Sequence, residues 1–118
     1  MRDTEATPYV DHDDAIVMIG SSVAMRAACL DAAVKLGARS IQTTHDRAGR
    51  VVATARPLVI VVDEMVQLST EEQTDMSIGV GAQLVVARPH EQPAELAERV
   101  KLAVKAARVL RNRAGSDT

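Results

Sequence analysis

Leu58-Val59-Ile60-Val61-Val62, closed by Asp63, is the stretch that decides the fold. Five consecutive apolar residues, four of them β-branched, are too few for a helix and suit a strand buried on both faces. Arg56 stands before Pro57, so its backbone leaves helical geometry there and the run starts cleanly. Outward from it, Ala15 to Ile19 is a second continuous apolar run, Leu84 to Ala87 a third, and Ser40 to Thr44 a weaker strand suited to a sheet edge.

Helical patterns separate these runs. Ser21 or Ser22 caps a helix reaching about Leu36, whose Met25, Ala28, Cys29, Ala32 and Leu36 share one face before Gly37 stops it. Asp46 is expected to cap a shorter helix carrying Ala48, Val51, Val52 and Ala55 at i, i+3, i+4 and i+7. Ser69 and Glu72 form a capping box for another helix, running to Ile78 and ended by Gly79 and Gly81, while Met65 to Leu68 reads as a loop. Pro93 opens a long final helix with Leu96, Val100, Ala103, Val104 and Ala107 inward. The alternation predicts a three-layer α/β/α fold with a four-stranded parallel sheet covered on both faces. Residues 1–13 read as a flexible acidic arm, 14–113 as the domain and 114–118 as a disordered tail.

Composition narrows the class. A chain of 118 residues is one domain and buries roughly two-thirds of its unfolded surface. Its 47% hydrophobic content includes no Phe or Trp and a single Tyr, so Val, Ala, Leu, Ile and Met must build the core. The lone Cys29 excludes an internal disulfide and a cysteine zinc cage, and its place on the inner helix face makes it a small hydrophobe. No apolar stretch approaches the roughly 20 residues of a membrane span, and the start is acidic, so the chain reads as cytoplasmic. A net charge of -2 gives no reason to expect nucleic acid. The basic residues Lys101, Lys105, Arg108, Arg111 and Arg113 complement the negative end of their own helix dipole.

In a parallel sheet, ligands gather beyond the carboxyl ends of the strands. Gly20-Ser21-Ser22, His45-Asp46, Asp63-Glu64 and Arg88-Pro89-His90 fall there. His45 and His90 are not fixed near Asp63 by any spacing, and no metal site is assigned. Gly79-Val80-Gly81 precedes a strand and is no dinucleotide fingerprint.

Ser22, Met25 and Arg26 after the first run, Asp63 at the end of the third, and Gly81-Ala82 leading to Arg88-Pro89 resemble, in that order, the landmarks of a response-regulator receiver domain. The resemblance covers about residues 15–110 and implies a flavodoxin/receiver-like α/β fold with a shortened sheet. It also implies that Asp63 is the candidate or vestigial phosphoacceptor, in a pocket with Gly20, Ser21, Ser22, Glu64, Arg88 and Pro89. Three departures stand against working receiver chemistry. Gly20 and Ser21 occupy the family's two acidic, Mg²⁺-holding positions, and a hard dication needs anionic oxygen ligands. Arg88 replaces the family lysine and Val85 its aromatic switch residue. Only 25 positions separate Asp63 from Arg88, about half what the family's extra strand and helix need.

The resemblance therefore implies a non-catalytic, receiver-like signalling domain that acts by protein–protein contact in a bacterial two-component-type pathway. Its partner is a signalling protein, with homodimerisation through a sheet edge or the final helix as a further expectation. No cofactor is expected, and Mg²⁺ enters only if Asp63 is phosphorylated. Two alternatives stand beside it: a phosphorylatable receiver using Asp63, and a small-ligand-binding α/β module using the same edge.

Overall fold

The computed structural model of the chain describes residues 14–63, 81–88 and 90–116. The apolar runs form four strands, β1 (Ala15–Ile19), β2 (Arg39–Thr43), β3 (Val59–Asp63) and β4 (Gln83–Ala87). Three helices accompany them, α1 (Val23–Leu36), α2 (His45–Ala55) and α3 (Pro93–Ser116). All strand pairs are parallel, in the order β2-β1-β3-β4. The fold is thus the expected α/β architecture with a four-stranded parallel sheet, and the weaker strand lies at an edge.

Alternating side chains of the central strands go to two separate cores, as the two-residue period of a strand requires. Ile16, Met18, Val59 and Val61 face α1 and α3, where Met25, Ala28, Cys29, Ala32, Leu96, Val100, Val104 and Ala107 meet them. Val17, Ile19, Ile60 and Val62 face the other way, against Ala48 and Val52 of α2. Each fully buried Val, Leu or Ile contributes about 1.5–3 kcal/mol relative to exposure.

Local signals place the helix ends. Ser22 is the N-cap of α1, its Oγ accepting from the Met25 N–H at 3.3 Å. Gly37 closes α1 with φ 67°, a left-handed turn that suits glycine. For α2 the expectation needs correcting. Thr44 is the N-cap and Asp46 lies one step inside the first turn, where its carboxylate accepts from the Thr44 hydroxyl. The Thr44 hydroxyl is spent on Asp46 and caps no backbone N–H of the turn.

At the other end of the chain α3 continues through Ser116, past the boundary expected after Arg113. The helix takes in Ala114, Gly115 and Ser116 of the segment expected as a tail. Residues 1–13 and the expected loop, capping box and helix between Met65 and Ile78, with Gly79, lie outside the described residues. So do Glu64 and Pro89. No helix among the described residues is long and apolar enough to cross a membrane.

Two of the basic residues of α3 also bond neighbouring segments. Arg108 pairs with Asp14 at 2.8 Å and donates to the Leu36 carbonyl, at the end of α1, at 2.6 Å. Arg111 donates to the carbonyls of Arg56 and Pro57 at 2.7 and 3.2 Å. Arg108 and Arg111 thus satisfy backbone oxygens of neighbouring segments in addition to lying at the negative end of their own helix.

Candidate functional site

Strand order reverses between β1 and β3, because one crossover from β1 goes outward to β2 and the next returns past it to β3. The carboxyl ends of neighbouring strands diverge at such a point and leave a crevice. Here the crevice is an open cleft of about 450 Å³ lined by Gly20, Ser21, Gln42, Thr43, Thr44, His45 and Asp63. β1 contributes the first pair, the β2–α2 junction the middle four and β3 the carboxylate.

Gly20 makes the turn out of β1 with φ 130°, a backbone conformation that L side chains rarely adopt. Its N–H donates to the Thr43 carbonyl at 3.2 Å, and its own carbonyl accepts from Gln42 Nε2 at 2.9 Å. These two bonds hold the ends of β1 and β2 together and set the floor of the cleft. The Thr43 hydroxyl donates to the Thr44 carbonyl at 3.4 Å. Asp63 is buried, at 9% exposure, and is the only carboxylate of the lining among the described residues. The N-termini of α1 and α2, with Ser22 and Thr44 as their caps, both open near this edge and favour negative charge there. The Thr44 hydroxyl bond, followed by the Asp46 backbone N–H, holds the Asp46 carboxyl below its usual range.

The structure thus brings together Gly20, Ser21 and Asp63 of the expected pocket. Ser22 is engaged as a helix cap and does not line the cleft. Arg88 is exposed and also outside the lining. Its backbone N–H donates to Glu91 Oε1 at 3.3 Å. Glu64 and Pro89 fall outside the described residues. Gln42, Thr43 and Thr44 join the site without having been singled out. Their signal was positional, since β2 ends beside β1 and any residue at its carboxyl end borders the same crevice.

Elsewhere, burial pushes the Cys29 thiol up to about 12, so no thiolate nucleophile exists there near neutral pH. Among the described residues no three His, Cys, Asp or Glu side chains come together to hold a metal ion.

No protein-family model matches the chain, and no curated protein matches it. Among solved structures it is similar to a de novo designed Rossmann fold protein. The TM-score is 0.54 at 15% identity, over 77% of this chain and 97% of that one. The fold is Rossmann-like. At that identity the likeness concerns architecture alone.

Proposed function

We propose that the chain is a receiver-like signalling domain that has lost phosphoryl chemistry and works by binding another protein in a bacterial two-component-type pathway. The observation that carries this reading is the turn at Gly20. At one of the two positions where a receiver holds its metal with carboxylates, the backbone φ is 130°. An aspartate substituted there would be strained whatever the space around it. Ser21 beside it offers a neutral hydroxyl, which leaves Asp63 without a described carboxylate companion in its cleft. The phosphoryl oxygens of an acyl phosphate on Asp63 would lack the dication that neutralises them.

Two further features support the reading. The strand order 2-1-3-4 is the beginning of the flavodoxin-like order 2-1-3-4-5 to which receivers conform. The outer faces of the paired helices carry exposed Val23, Leu30 and Val34 on α1 and Leu102, Val109 and Leu110 on α3. Apolar side chains at this density on a surface suit protein contact, with a signalling protein or a second copy.

The test is incubation with acetyl phosphate and Mg²⁺, followed by intact mass measurement of the wild type and Asp63→Asn. The expected result is an unchanged mass in both. An acid-labile phosphoryl adduct on the wild type, absent from Asp63→Asn, would mean a working phosphoacceptor and would overturn the proposal. A small-ligand module would use the same cleft, and a melting-temperature rise of the same samples with a nucleotide or simple anion identifies it.

A further inference from the structure

Helices α1 and α3 lie side by side on one face of the sheet, and the side they turn away from it is apolar. On α1, Val23, Ala27, Leu30 and Val34 recur at spacings of four, three and four, opposite the buried Met25, Ala28, Cys29 and Ala32. On α3, Leu102, Ala106 and Val109 recur in the same way, opposite Leu96, Val100, Val104 and Ala107. Val23, Leu30, Val34, Leu102 and Val109 are 50 to 78% exposed. A four–three spacing on an outer face is the pattern of a helix seam and not of scattered surface hydrophobes.

Lys101 ties the two stripes together. It pairs with Asp31 at 3.4 Å across the groove between the helices and with Glu98 at 2.9 Å. Since Lys101 meets Asp31 and Arg108 meets the Leu36 carbonyl, the helices run parallel and their stripes lie level. The helices are roughly 21 and 36 Å long and packed about 8–10 Å apart, a face of about 600 Å² before side-chain relief is counted. A standard interface buries about 800 Å² per partner, so the face has the size that one closed contact needs.

Charge selects the occupant. Glu95 and Glu98 are exposed in the first half of α3, and Lys105, with Lys35 of α1 at its level, is exposed further down. A second copy turned end over end by a two-fold axis sets its Lys35 and Lys105 against Glu95 and Glu98, and its apolar stripes against the same stripes. A parallel arrangement would set carboxylates on carboxylates and ammonium groups on ammonium groups. We infer that this face docks a second copy of the chain, packed antiparallel as a four-helix interface with Leu30, Leu102 and Val109 at its centre. Such a two-fold contact is self-complementary and closes at two subunits. It supplies a partner for the binding role proposed above and rests on that role, but Asp63 and its cleft take no part in it. A dimer and a phosphoryl adduct are therefore detected separately.

Sedimentation velocity from low micromolar to about 1 mM chain is the test. The weight-average mass of the wild type should rise to twice that of the chain and stop there. Leu30→Lys/Leu102→Lys should stay monomeric over the same range, with an unchanged far-UV circular dichroism spectrum because both side chains are exposed. Glu98→Lys and Lys105→Glu should each weaken the dimer, by about tenfold given two symmetric contacts, and their combination should restore it. The charge variants decide alone where the lysine pair disturbs folding. Monomer at every concentration overturns the proposal and assigns the face to a different protein. A dimer that Leu30→Lys/Leu102→Lys leaves intact overturns it too, as does association that continues beyond two copies. Single charge reversals without effect overturn the antiparallel packing.

Discussion

Arg56 is the one described non-glycine residue in the left-handed region, at φ 47° and ψ 60°. Two demands meet there. The N–H of Arg56 closes α2 on the Val52 carbonyl at 2.9 Å, while the following Pro57 disfavours ordinary helical geometry for it. The left-handed turn satisfies both, at a cost of about 1–2 kcal/mol for a side-chain-bearing residue. Arg111 compensates by donating to the carbonyls on either side of the bend. Glycine makes the same turn without the Cβ clash, and only the extra freedom of its unfolded chain opposes the gain. Arg56→Gly should therefore raise stability by about 0.5–1 kcal/mol, read as a higher urea midpoint at unchanged slope. A lower midpoint would show that the exposed Arg56 side chain contributes more than the backbone strain takes away.

At the scale of elements, the connection from β4 into α3 depends on one buried carboxylate. Glu91 accepts from Arg99 Nη1 through both oxygens, at 2.6 and 2.7 Å, and Arg99 Nη2 also donates to the Val86 carbonyl at 3.2 Å. The helix itself starts at Pro93, with Glu95 accepting from the Gln92 N–H at 3.2 Å, half of a capping box. Burial acts to raise the Glu91 carboxyl, but the Arg99 guanidinium and the Arg88 N–H outweigh it and hold the carboxyl below its usual range. A carboxyl lowered in the folded state stabilises the fold fully above its unfolded pKa, near 4.3, and loses that contribution as pH falls through the lower folded value. The half-exposed guanidinium limits the size to about 1 kcal/mol. Thermal melts of wild type and Glu91→Gln should differ by that amount at pH 7 and converge in acid. A difference that persists undiminished to pH 3 would assign the effect to packing of the side chain and not to its charge.

Legibility followed the range of the interactions. The central strands were readable because burial on both faces leaves an unbroken apolar run, and Ser22 and Gly37 because a cap acts within a turn. Asp46 was misassigned for the same local reason, since Thr44 competes for the same role two residues away. The cleft was only half readable. Gly20, Ser21 and Asp63 follow directly from strand ends, whereas Gln42 reaches it by a bond spanning 22 positions to the Gly20 carbonyl. Arg108 belongs to the same class, because its bonds to Asp14 and Leu36 exist only once α3 lies beside α1.

For the whole molecule, the shortage of aromatic residues determines how closely the layers meet. Among the described residues the larger core contains no side chain bulkier than Met, Ile or Leu, and Ala28, Cys29, Ala32 and Ala33 of α1 share it with Ala97 and Ala107 of α3. Small residues let both helices sit low on the sheet, so Met18, Val59 and Val61 fill the space that rings would occupy in an aromatic-rich core. Such packing is close to crystalline density and has little room to expand. It tolerates exchange of shape at constant volume far better than added volume. Ala32 is fully buried at the centre of this layer, and Ala32→Leu forces the helix away from the sheet or its neighbours off their rotamers, at about 1–3 kcal/mol. Met25→Leu, at an equally buried site on the same face, keeps the volume and should cost less than about 1.5 kcal/mol. Urea denaturation of the two variants orders them. If Ala32→Leu proves the milder, the layers are looser than the alanine-rich contact implies, and the sheet-to-helix spacing is set by something other than side-chain size.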